Sequence, residues 1–173
     1  MHGGEAASRS LVSAVAAAVD DPAFLVEEMQ SWIDLFKTTD TALAANGAGE
    51  TTGVVVVAGP RGLVGVSAGD SEAWVVTPTA VDDLTVGRQT GQRLGGNRIT
   101  PAAFERPALG GILVIASDGL FKYAATEVIA RIVRNNAMGG AAECLIDLVR
   151  LRSGKVADDV AIVLVREDDT TPS

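Results

Sequence analysis

The segment 111–123, GILVIASDGLFKY, constrains the fold more than any other stretch of the chain. Residues 112–116 are apolar without a break, and the run is too short to show a helical period. Bounded by glycine, it reads as a buried strand. It stops at Ser117-Asp118-Gly119, so a carboxylate stands where the strand gives way to a turn. In apolar surroundings a carboxylate must be paired, hydrogen-bonded or metal-bound. Asp118 is therefore the candidate centre of the chemistry.

With 173 residues the chain has room for one domain with a real core, taken as residues 1–173. Aromatic residues make up only 4%, so that core must be built from Val, Leu, Ile and Ala. The formal net charge of -8 repels nucleic acid and acidic lipid and attracts cations. Cys144 is the only cysteine, which excludes an internal disulfide and a cysteine metal cluster. Its helical neighbours Leu145 and Ile146 predict a small buried side chain. Residues 1–20 lack the pattern of a secretory signal, and no window of about 18 apolar residues is present. No membrane partner is expected, and the cytoplasm is the expected location.

Along the chain, residues 5–19 repeat Leu11, Val12, Val15 and Val19 at helical spacing. Asp21-Pro22 predicts the cap and first position of a second helix that runs to about residue 45. Its apolar face includes Phe24, Trp32 and Phe36, read as core. The period then changes. Residues 51–58 and 63–68 read as strands joined by the Gly59-Pro60-Arg61-Gly62 turn, and residues 72–76 as a third strand. Residues 77–83 read as a loop, and 84–106 as loops with short strands. After the 112–116 strand, helices are predicted from Thr126 and over 141–151, and a last strand over 160–165. Tight strand–turn–strand links argue for antiparallel sheet, and the absence of βαβ alternation argues against a doubly wound fold. The predicted class is α+β.

Asp118 and Asp158 are the main chemical pair, one just after a predicted strand and one just before another. Antiparallel neighbours would bring those ends together. Two close carboxylates repel each other and favour a cation between them, and Mg²⁺ or Mn²⁺ suits an all-oxygen site. Turn residues bonded to backbone amides are the other reading of the same two aspartates. Asp159 and Asp70 are candidates for a supporting shell, and His2 can approach a site if the N-terminus folds inward. Gly65-Val66-Ser67-Ala68-Gly69 has the form of a hydrolase nucleophile elbow, but a strand follows where a helix is needed. No histidine lies late in the chain, so Ser67 reads as one residue of an alternating strand. Gly95-Gly96-Asn97-Arg98 is a weak phosphate-loop pattern. Arg93 and Arg98 can pair with a phosphate or with a carboxylate of the protein.

Four segments carry a resemblance to the metal-dependent protein serine/threonine phosphatases of the 2C type, the PPM family. Gly69-Asp70-Ser71-Glu72-Ala73-Trp74 resembles the family's GDSRAY strand, and Ile115-Ala116-Ser117-Asp118-Gly119-Leu120-Phe121 its CSDGLWD segment. Ala157-Asp158-Asp159-Val160-Ala161-Ile162-Val163 is similar to TDNITVV, and Gly49-Glu50-Thr51-Thr52-Gly53 to SGTTA. The resemblance implies an α-β-β-α sandwich of antiparallel sheets flanked by helices. It implies hydrolysis of phosphoserine and phosphothreonine with two Mg²⁺ or Mn²⁺ ions and a bridging water. Asp118 and Asp158 would be metal ligands, and Asp70 a motif residue that is not a direct ligand.

The match breaks at the N-terminus. Met1-His2-Gly3-Gly4 resembles only the tail of the family's Asp-Gly-His-Gly-Gly turn, without its bridging aspartate or the usual N-terminal strands. The expected result is a partial domain in which Asp118 and Asp158 hold one ion weakly rather than two, with Glu5 or Asp159 as substitute donors. A degenerate domain that binds a phosphoprotein or regulatory protein is the alternative to an active hydrolase. An exposed sheet edge would invite a second copy of the chain.

Overall fold

The computed structural model describes residues 4–156 and 158–167. Within it the chain divides into two compact units. One takes in the chain up to Ser71 together with Thr85–Pro107; the other takes in Glu72–Leu84 and the chain from Ala108 onward.

The first unit opens with two helices, α1 (Gly4–Asp20) and α2 (Met29–Asn46). Its sheet has the order β1-β2-β5, from β1 (Gly53–Gly59), β2 (Gly62–Ala68) and β5 (Ala102–Arg106), all antiparallel. The β-branched run of β1 meets β2 through the expected turn, with Gly59 opposite Gly62. Gly62 has φ 106, a conformation that side chains resist. The core joins Leu11 of α1, Trp32, Phe36 and Leu43 of α2, Val66 of β2 and Leu94. Gly53 lets the helices approach the sheet, since a Cβ there would stand 2.5 Å from a Leu11 methyl.

The second unit holds a sheet of order β4-β3-β6-β7, built from β3 (Glu72–Val76), β4 (Val81–Asp83), β6 (Ile112–Ala116) and β7 (Ile162–Arg166). All its pairings are antiparallel, with Trp74 opposite Val114 and Ala116 opposite Ile162. Alternation puts Trp74, Val76, Ile112, Val114 and Ala116 on one face. On that face they form a core with Ile129, Ala130 and Val133 of α4 (Thr126–Asn135) and Leu145 of α5 (Met138–Leu148). Arg134 ties the end of α4 to the β3–β4 turn by donating to the Thr77 carbonyl at 2.7 Å and the Ala80 carbonyl at 2.9 Å.

The α+β class with antiparallel sheets flanked by helices is thus observed. The differences from the sequence reading are local. Asp21 does not open α2. Its Oδ1 accepts the Ala23 N–H at 2.9 Å in a separate turn, and the helix begins at Met29. On α1 the buried residues are Ala7, Leu11 and Ala18, while Val12 and Val19 are exposed. Small alanines allow the closer approach, and the two valines fall off that stripe. Residues 81–83, expected as loop, form β4. Helix α5 is displaced toward Met138, and it buries Ala141 and Leu145 so that Cys144 is exposed, not buried. With residues 141 and 145 inward, a neighbouring position one residue away is turned about 100° around the helix.

Candidate functional site

Strand β6 delivers Asp118 as the first residue of a one-turn helix, α3 (Asp118–Phe121). Leu120 is fully buried, and Phe121 packs on Trp74 with ring centroids 4.3 Å apart, which fixes the turn against the sheet. Ser117 occupies the N-cap position but makes no side-chain cap. Its hydroxyl instead donates to the Asp159 carbonyl at 2.9 Å and accepts the Ala161 N–H at 3.1 Å. Its own N–H donates to the Ala161 carbonyl at 3.1 Å, so the β6–β7 register continues one pair beyond the strands.

Ser117 thereby locks the segment carrying Asp158 and Asp159 against the start of α3. Gly119 is needed for this closeness: a Cβ there would lie 2.5 Å from the Asp159 carbonyl oxygen. Asp118 is half-buried, while Asp158 and Asp159 are exposed. Asp158 Oδ1 accepts the N–H of the next residue, Asp159, at 2.9 Å.

The remaining candidates have other surroundings. Asp70 pairs with Arg93 at 2.8 Å within the first unit. Glu5 pairs with Arg9 at 2.6 Å on the exposed side of α1. His2 lies outside the described residues. Ser67 is buried inside β2, between Val54 and Ala102 of the flanking strands, as the alternating-strand reading expects.

The glycine-rich loop after Leu94 is an anion nest, but the protein supplies the anion. Asp40 of α2, buried, accepts N–H bonds from Gly95 at 2.7 Å, Asn97 at 3.0 Å and Ile99 at 3.3 Å. Those amides are spent on holding the loop, which removes the weak phosphate-loop reading. Neither Asp40 nor the Ser117 lock was anticipated. For Asp40 a signal was present: it lies four residues after Phe36 on the inward face of α2, where a carboxylate demands donors.

A helix-flanked pair of antiparallel sheets with an aspartate at the end of a central strand is the architecture of the PPM metal-dependent phosphatases, and the chain shares that fold. It matches the catalytic domain of the serine/threonine protein phosphatase PstP, solved with two manganese ions, at a TM-score of 0.77 and 24% identity, covering 95% of this chain and 83% of that one. Against PstP/Ppp of Mycobacterium tuberculosis the TM-score is 0.78 at 23% identity, covering 92% and 80%. Against Stp1 of Staphylococcus aureus it is 0.78 at 18% identity, covering 95% and 79%. No family model matches the sequence, and no curated protein does.

A two-ion centre needs several converging oxygen donors. Among the described residues no group of three or more His, Cys, Asp or Glu side chains converges to hold a metal ion. The donor set there does not fit a pair of ions. No described helix is long and apolar enough to cross a membrane.

Proposed function

We propose that the chain acts as one phosphatase-like domain that binds a phosphoprotein or regulatory protein and does not turn phosphate over by itself. The observation that carries this reading is that the Ser117 lock ties Asp159 and Ala161 to the start of α3, while among the described residues no group of three or more metal-ligating side chains converges. Bare carboxylates repel a phosphoryl group. One Mg²⁺ or Mn²⁺ held weakly by Asp118 and Asp158 would reverse that sign and offer a positive centre to a phosphoryl oxygen. In this reading Asp159 supports from the flank. The single free cysteine suits the reducing cytoplasm.

Metal-dependent hydrolysis of phosphoserine or phosphothreonine is the second reading. It is favoured by a phosphatase fold that extends over 95% of the chain. One experiment separates the two: Mn²⁺-dependent binding of a phosphothreonine peptide and release of phosphate from it, with Asp118→Asn as the blank. The expected result is Mn²⁺-dependent binding that Asp118→Asn abolishes, with no release above that blank. Release that needs Mn²⁺ and vanishes in Asp118→Asn would establish the hydrolase instead. No binding at any Mn²⁺ concentration would remove the phosphoryl-binding reading.

Self-association belongs to the same proposal. Among the described residues β7 pairs only with β6, and Val163 on it is 53% exposed. A second copy adding a strand there gives a mass that rises with concentration in sedimentation equilibrium; a monomer throughout removes this part.

A further inference from the structure

Between Asp147 and Asp158 the sequence carries three basic residues, Arg150, Arg152 and Lys155, and no acidic one, in a chain of net charge -8. The structure folds this stretch into a small closed turn. Arg150 and Val156 form a β-bridge, and the Leu151 N–H donates to the Lys155 carbonyl at 2.8 Å. The Gly154 N–H donates to the Leu151 carbonyl at 2.9 Å, and Gly154 takes φ 82. Arg150 is built into the turn: it donates to Asp147 Oδ1 at 3.0 Å and to the Gly154 carbonyl at 2.8 Å.

Arg152 and Lys155 are exposed, and neither side chain pairs with another described residue. Apolar side chains share the turn. Leu151 is 51% exposed, and Val156 is 37% exposed. In this turn, aliphatic groups stand beside two cations that have no partner among the described residues. Its charge is opposite to that of the chain as a whole, so a partner segment with acidic residues is drawn here. Asp158 and Asp159 follow directly and reject the same acidic groups, which sets a limit to where that segment can extend.

We propose that the 150–156 turn is a docking surface for an acidic peptide segment bearing an aliphatic side chain, with Leu151 as the apolar anchor and Arg152 and Lys155 as the charge readers. This rests on the protein-binding reading above and supplies the chemistry of the partner.

The test uses a fluorescent, unphosphorylated peptide of alternating glutamate and leucine on the full chain, without divalent metal. Asp118 and phosphate have no part in it, so its failure is separate from failure of the phosphoryl-binding reading. Binding is expected to weaken at least about tenfold in Leu151→Ser and in the Arg152→Glu, Lys155→Glu double variant, and with added salt. All these residues are exposed, so the thermal midpoint of each variant should match the parent. An all-glutamate peptide without leucine should bind more weakly than the mixed one. No binding by the parent chain, or equal binding by both variants, overturns the proposal. So does variant-sensitive binding to phosphatidylserine vesicles without binding to the peptide, which would assign the turn to a lipid surface.

Discussion

Ser117 does at the residue scale what a sequence motif cannot spell out. Its hydroxyl makes two hydrogen bonds to the segment that carries Asp158 and Asp159, in place of capping its own helix. Ser117→Ala should therefore cost about 1–2 kcal/mol, at roughly 1 kcal/mol net per neutral hydrogen bond. Urea titration measures the loss, and amide exchange at Ala161 should quicken in the same variant. A shift of only a few tenths of a kcal/mol would mean that water replaces both bonds and that the lock is weak. Asp118 was legible from its place at the end of an apolar strand. Ser117 was not, because a serine before an aspartate is an ordinary helix-cap pattern and only the partner segment distinguishes its role. Asp40 was legible in principle, as a carboxylate on an apolar helical face, yet its three donors come from a loop more than fifty residues away.

Among the elements, the strands were the most readable. Residues 72–76 and 112–116 appear as β3 and β6 with the boundaries that their apolar runs suggest. Helix phase was less readable, because alanine-rich segments offer more than one apolar stripe. Helix α5 shows the consequence: Leu145 is fully buried and Cys144, next to it, is exposed. Leu145→Ala should cost about 2–5 kcal/mol, as a large-to-small change in a packed core does. Cys144→Ser should change stability by less than about 0.5 kcal/mol, the usual range for an exposed site. Chemical denaturation of the two variants checks the phase of the helix. Equal losses would contradict it. A thiol reagent should also label Cys144 in the folded parent chain. The short strand β4 was hidden for another reason, whereas β5 falls in the stretch read as loops with short strands. Three residues of intermediate burial show too little alternation to be told from loop.

At the scale of the whole molecule, the fold class could be read from the order of elements and the tight antiparallel links, and the solved phosphatase structures share it. The interleaving of the two units could not be read. Strand pairing across long sequence separations depends on which surfaces meet, which local patterns do not encode. The chain passes from one unit to the other after Ser71, Leu84 and Pro107. During synthesis on a ribosome this has a cost in waiting. Strands β3 and β4 emerge before β5 has arrived to finish the first sheet, so the nascent polypeptide carries two unfinished sheets at once. The second sheet, started at β3, gains its last strand only when β7 leaves the exit tunnel. Neither unit can be released as a fragment by a single cut in the chain.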